Sequence, residues 1–139
     1  MAKSLLYRLF GVDRIPNLIG DRLGMEGIVI CDEGISGSVT YRDFRAPGRY
    51  SSWRKQAFIG SIVVTNIRLV GLISGRFAVD VPFTDERIRQ LQISRERDRL
   101  LIALDASLFH DDWSGTIEYR YQTSEAADII KWIQDLTQR

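Results

Sequence analysis

The sequence predicts a mainly β domain: a bent seven-stranded antiparallel sheet or open barrel, capped by a C-terminal helix and preceded by a short helical segment. Three observations carry this. Short apolar or alternating runs broken by turn residues recur from Met25 to Gln122, the pattern of an antiparallel sheet. A single stripe at helical spacing follows them, in Ala126, Ile129, Ile130, Ile133 and Leu136. The chain has 139 residues, 45% hydrophobic and 27% charged, which is the length and composition of one ordinary globular domain.

Taken in order, Leu5, Leu6, Leu9 and Phe10 cluster at helical spacing, with Lys3, Ser4 and Arg8 on the other side, and Gly11 and Pro16 stop that helix. Asn17 to Leu23 reads as a further turn or two, ending at Gly24. Residues 1–23 are therefore set apart as a helical appendage, and residues 24–139 as the β domain. Ile28 to Cys31 is an apolar strand closed by a turn at Asp32-Glu33-Gly34, and Ile35 to Phe44 is a polar, β-branched one. Ala46-Pro47-Gly48 reverses the chain, Ser52 to Thr65 returns, and Ile67 to Ile73 follows. Ser74-Gly75 makes a tight turn into a strand in which Phe77, Val79, Val81 and Phe83 share the buried face. Leu91 and Ile93, then Leu100 to Leu104, supply two more strands around the charged turn Arg95 to Arg99. A long loop, Asp105 to Gly115, leads to the alternation of Ile117, Tyr119 and Tyr121 with Glu118, Arg120 and Gln122. Thr123 or Ser124 then caps the final helix.

Several function classes lose support at this stage. One domain's length excludes a multidomain enzyme. The formal net charge of +1, from 19 cations and 18 anions, lacks the basic excess of a nucleic-acid binder. No apolar run approaches the roughly 20 residues of a membrane span, and the first ten residues lack the apolar core of a signal peptide. The lone Cys31 forms no internal disulfide and reads as a small buried hydrophobe, which suits a cytoplasmic protein. His110-Asp111-Asp112 is the one place where histidine and carboxylates meet, but three adjacent residues rarely converge on an ion, and a single histidine excludes a zinc site of several His or Cys ligands. No nucleophile elbow or phosphate-cradling glycine spacing occurs. The expectation is a non-enzymatic module with no metal, no cofactor and no small-molecule substrate.

The stretch Gly60-Ser-Ile-Val-Val-Thr65-Asn66-Ile-Arg68-Leu69-Val70-Gly71 resembles the signature of bacterial pleckstrin-homology-like and GRAM-like domains. The likeness continues through Val79-Asp80-Val81-Pro82-Phe83, Ile88, Ile93 and Leu100 to Leu104 to the terminal helix, covering about Gly24 to Leu136. Thr65-Asn66 reads as a hairpin corner in which Asn66 supplies left-handed backbone. The resemblance implies that fold, a role in lipid binding, peptide binding or self-assembly, and a basic loop near the first hairpin. It supplies no ligand residues.

Two clusters are candidates for that role. Arg42, Arg45, Arg49, Arg54 and Lys55, with Tyr41, Phe44, Tyr50 and Trp53 interleaved and Asp43 the one acid, combine guanidinium groups that bind phosphate with aromatics that settle at membrane interfaces. The ordinary reading is that long arginine stems cover sheet surface as a solvated face. Leu108, Phe109 and Trp113 form either a partner-contacting tip or a loop folded back over one end of the barrel. Arg87, Arg89, Arg95, Arg97 and Arg99 are interrupted by Glu96 and Asp98 and read as a solvated, ion-paired surface. The expected partner is an anionic membrane surface, contacted by a cytoplasmic, membrane-peripheral adaptor. The alternative is a protein partner or a second copy of the chain, contacted through strand edges and the two helices.

Overall fold

The computed structural model describes residues 23–137. The helix expected over Ser4 to Phe10 lies outside them, as does all but the last residue of the segment Asn17 to Leu23. Residues 23–26 are helical. Seven strands follow: β1 (Ile28–Ala46), β2 (Arg49–Thr65), β3 (Arg68–Ile73), β4 (Arg76–Pro82), β5 (Gln92–Glu96), β6 (Arg99–Asp105) and β7 (Ser114–Gln122). Short 3-10 turns occupy Glu86–Gln90 and Ala106–Leu108, and the helix α1 (Ala126–Thr137) ends the described chain. The strands form one antiparallel sheet in the order β4-β3-β2-β1-β7-β6-β5, curled into a half-barrel.

The curl has one interior. Ile35, Val39, Ile62, Val64, Leu69, Val79, Val81, Leu100, Ile102, Leu104, Ile117 and Tyr121 fill it from the strands, and Ala126, Ile129 and Ile133 of α1 close its mouth. The amphipathic stripe thus meets the sheet as its spacing requires, with α1 packed beside β5. Thr123 sets the helix start: its hydroxyl accepts from the Glu125 N–H (3.1 Å) and donates to the buried Asp32 carboxylate (2.7 Å), tying α1 to β1. A second, smaller cluster lies on the opposite face of β2 and β3, where Leu23 packs with Val63, Val70 and Leu72. Leu23, the last residue of the expected appendage, is therefore part of the packed structure.

Among the described residues, Tyr121 is the largest fully buried side chain. Its phenol donates to the Leu72 carbonyl (3.4 Å) and its ring meets Phe58 edge-on at 5.2 Å. Gly71 makes room for it, since a Cβ there would stand 2.8 Å from the phenol oxygen. Burial raises the ionisation of Tyr121 far above the ordinary phenol range. Tyr119 is pushed up to about 12, first by burial and then by the neighbouring Tyr41.

Three expectations are corrected by local geometry. Ile28 to Cys31 and Ile35 to Phe44 are not separate strands. Asp32-Glu33-Gly34 is a bulge inside one 19-residue strand, marked by a register shift between Asp32 and Ile35 and by Gly34 at φ 65°. Phe77 does not share a face with Val79 and Val81. Opposite Gly71 and Leu72 the register slips by one residue at Ala78, which turns Phe77 outward to 47% exposure. Nor does Asn66 adopt left-handed backbone. The corner is held by the Thr65 hydroxyl, which accepts from the Ile67 and Arg68 N–H groups (both 3.0 Å), while the Asn66 amide donates to the Glu26 carbonyl (3.3 Å). Ser74 and Gly75, at φ 50° and 76°, do form the tight hairpin turn.

Two measurements test this packing. Ile129→Ala, at a fully buried helix position, is expected to lower the free energy of unfolding by about 2–5 kcal/mol in denaturant titrations, against about 0.5 kcal/mol or less for the exposed Asp128→Ala. In the unfolded chain Tyr119 and Tyr121 ionise near pH 10, whereas in the fold they resist ionisation. Stability is therefore complete below about pH 10 and falls as pH rises toward about 12, which urea titrations across that window will record.

Candidate functional site

The basic cluster sits on the hairpin of β1 and β2, and the geometry of that hairpin follows from strand lengths. β2 has 17 residues, but β3 pairs only with Gly60 to Val64. On its other side β1 pairs with β7 as far as Arg45, opposite Ser114. From Arg49 to Phe58, β2 is therefore paired with β1 alone, and among the described residues no strand lies along its outer edge.

Aromatic rings brace the base of this hairpin. Phe44 is buried, with Tyr41 edge-on at 5.0 Å and Trp113 edge-on at 5.2 Å, and His110 stacks on Trp113 at 3.7 Å. Asp43 bulges out of the β1–β7 ladder at φ 48°, and Gly115 faces it at φ 98°, where a Cβ would strike the Asp43 carbonyl. The loop carrying Leu108, Phe109 and Trp113 folds back. All three side chains are half-buried against the main core, and Arg87 lies over the Phe109 ring at 4.9 Å.

The five candidate cations divide into two groups. Arg42 belongs to an ion-pair chain on the outer face of the sheet: Arg42 to Glu118 (3.3 Å), Glu118 to Arg120 (3.2 Å), Arg120 to Glu96 (3.1 Å) and Glu96 to Arg99 (3.5 Å). The Arg120 guanidinium, hydrogen-bonded to Glu96, holds that carboxyl below its ordinary range. Arg45, Arg49, Arg54 and Lys55 are exposed and have no carboxylate within ion-pair distance among the described residues. Arg45 lies over the Tyr50 ring at 4.9 Å. Arg45, Ala46, Gly48, Arg49 and Tyr50 cup an open hollow of about 480 Å³ at the tip. Arg49 and Tyr50 also border a hollow of about 40 Å³ over Tyr41, Phe44 and Trp113, with Arg54 on its rim. Two guanidinium groups facing one concavity can hold a phosphate or carboxylate, and the phenol ring beside them suits an apolar-to-aqueous boundary.

The remaining sequence candidates lie apart from this tip. Arg87 is bound to Asp85 (2.6 Å) and Arg89 donates to the Thr137 carbonyl at the end of α1 (3.1 Å). Arg95 donates to the Arg97 carbonyl (2.7 Å), within the solvated turn its charges suggest. Among the described residues, no three His, Cys, Asp or Glu side chains gather to hold a metal ion, and no helix is long and apolar enough to cross a membrane. A hollow of about 530 Å³ lies between β5, α1 and the turn at Glu86–Gln90, lined by Ile88, Leu91, Ile93, Ile130 and Ile133. Sequence reading did not single out that hollow or the open edge of β2. A signal for the edge was present, because the long run before Thr65-Asn66 is followed by one less than half its length.

No family model matches the chain, and no curated protein matches it.

The brace beneath the hairpin is testable. Trp113→Ala removes one ring from the stack and is expected to speed amide hydrogen exchange at residues 44–51 more than in β3 and β6, with a loss of about 1–3 kcal/mol in overall stability.

Proposed function

We propose that this chain is a pleckstrin-homology-like binding module that docks on anionic lipid headgroups with the tip of its β1–β2 hairpin. The observation that carries the reading is the hollow between Arg45 and Arg49, open at the end of a projecting hairpin, with Tyr50 at 60% exposure beside it. Guanidinium groups there with no carboxylate partner among the described residues remain available to phosphate, while Arg42 is already engaged by Glu118. Arg54 and Lys55 stand five and six residues from Arg49 along β2, roughly 15–20 Å at about 3.3 Å per residue. They add longer-range attraction rather than first contact. The role needs no reacting group and is that of a membrane-peripheral, non-enzymatic adaptor.

Sedimentation with vesicles tests it. The chain is expected to pellet with vesicles containing phosphatidylserine and not with pure phosphatidylcholine, and to be released as salt is raised. Combining Arg45→Glu, Arg49→Glu and Arg54→Glu should weaken binding about 100-fold or more, at about 1 kcal/mol for each cation near the surface, and leave the fold intact because all three are exposed. Equal pelleting with both vesicle types, or a triple variant that binds like the parent, would sink the reading.

A further inference from the structure

The outer face of β2 and β3 carries side chains that lie outside the barrel and are nonetheless buried. Ile62, Val64 and Leu69 point into the barrel, so Ser61, Val63, Val70 and Leu72 point out of it, in two rows: Val63 beside Val70, and Ser61 beside Leu72. All four are exposed by 1% or less. Among the described residues, Leu23 alone joins Val63, Val70 and Leu72 in a buried cluster, with Cys31 half-buried at its margin. A fully buried side chain touches about 6–12 others, and one leucine does not supply that for two rows. Ser61 shows the chemistry of what lies there. Its buried hydroxyl oxygen has no hydrogen-bond partner among the described residues, so an apolar group rests against it.

The chain entering β1 fixes where that group comes from. Residues 23–26 are helical, and their end is tied to the corner between β2 and β3. The Thr65 hydroxyl and Arg68 Nε donate to the Glu26 carboxylate (3.0 and 3.1 Å), and the Asn66 N–H donates to the Gly27 carbonyl (3.0 Å). With Glu26 at Thr65 and Leu23 at Val63 and Val70, the helical turn runs back along β2 toward Ser61. Four residues of helix advance about 6 Å and two residues of strand about 6.7 Å, so the residue four before Leu23 arrives at the row of Ser61 and Leu72. That residue is Ile19. Gly20 shares its face and lets the backbone come close, while Leu18 and Asp21 fall on the other side. Pro16 suits the first helical position. The burial ends at the same level: Ile59, the next outward residue past Ser61, is 38% exposed, and Phe77, opposite Leu72, is 47% exposed.

We infer that residues 16–22 continue this turn as a helix on the outer face of β2 and β3, with Ile19 seated on Ser61 and Leu72. The face is an interaction surface whose partner is the chain's own N-terminal segment. This does not depend on lipid docking, since the face lies toward the Thr65 end of the β1–β2 hairpin and the cationic tip lies at the other end.

Thiol bridging in the full chain tests it. With the one native cysteine removed by Cys31→Ala, Ile19→Cys combined with Ser61→Cys is expected to be joined within one chain by a short bridging reagent about tenfold faster than Leu18→Cys combined with Ser61→Cys. In separate urea titrations, Ile19→Asp should lower the midpoint by about 1 M or more, because it sets a carboxylate against buried apolar side chains, and Leu18→Asp should leave the midpoint unchanged. Bridging at equal rates in the two pairs, or bridging between two chains rather than within one, would overturn the inference. So would an Ile19→Asp variant as stable as the parent, or a Leu18→Asp variant destabilised as much as Ile19→Asp.

Discussion

The pairing of β1 with β2 sets a constraint that every other element must accommodate. These two strands, of 19 and 17 residues, are paired from Ile28 opposite Thr65 to Ala46 opposite Arg49, with register shifts before Ile30 and before Ile35, whereas the next longest strand, β7, has nine residues. Shorter neighbours cannot flank the pair along its whole length. β3 takes the Thr65 end of β2 and β7 takes the Ala46 end of β1, so the two halves of the sheet are displaced along the hairpin. That displacement, added to the natural twist of long strands, curls the sheet around one interior and leaves the helix to fill the mouth. It also exposes a length of β2 and lifts the cationic tip clear of the β2–β3 pairing. The projecting candidate binding surface is a consequence of that mismatch.

Charge is distributed along that frame according to what each position can reach. Glu118 and Arg120 on β7 face outward because Ile117, Tyr119 and Tyr121 face in, and this alternation brings them beside Arg42 on β1 and Glu96 on β5. Pairs of this kind contribute little stability each, but they remove Arg42 from the set of cations a ligand could meet. Beyond Ser114 the hairpin has no neighbouring strand to bring an acid alongside. Among the described residues, the cations at the tip lack an acidic partner for this topological reason, in a chain whose total charge is nearly balanced.

Much of the fold was legible in the sequence because burial on one face writes itself as period two, and helix burial as period 3.6. The strands of Leu100 to Leu104 and Ile117 to Tyr121, and the stripe of α1, follow directly. The errors fall where one inserted residue breaks the period. Gly34 and Ala78 become bulges only because a particular partner strand faces them, and nothing within their own runs declares it. Asn66 misled for a related reason: the corner uses the Thr65 hydroxyl and a carbonyl 40 positions away at Glu26, so side-chain bonding replaces the unusual backbone conformation. The cationic residues of the tip were readable as a cluster. That Arg42 is engaged, while Arg45, Arg49, Arg54 and Lys55 have no carboxylate partner among the described residues, depends on Glu118, which lies 76 residues from Arg42.

The bond between Thr123 and Asp32, 91 positions apart, bears on how the chain is made. During synthesis the opening strands leave the ribosome long before β7, which must lie beside β1, and before α1, which must cover the interior. Until those later segments are available, the early hairpins have an apolar face with nothing to rest on. The native contacts of β1 are thus split between a partner that follows it directly, β2, and partners far along the sequence, β7 and α1, an arrangement of high sequence separation.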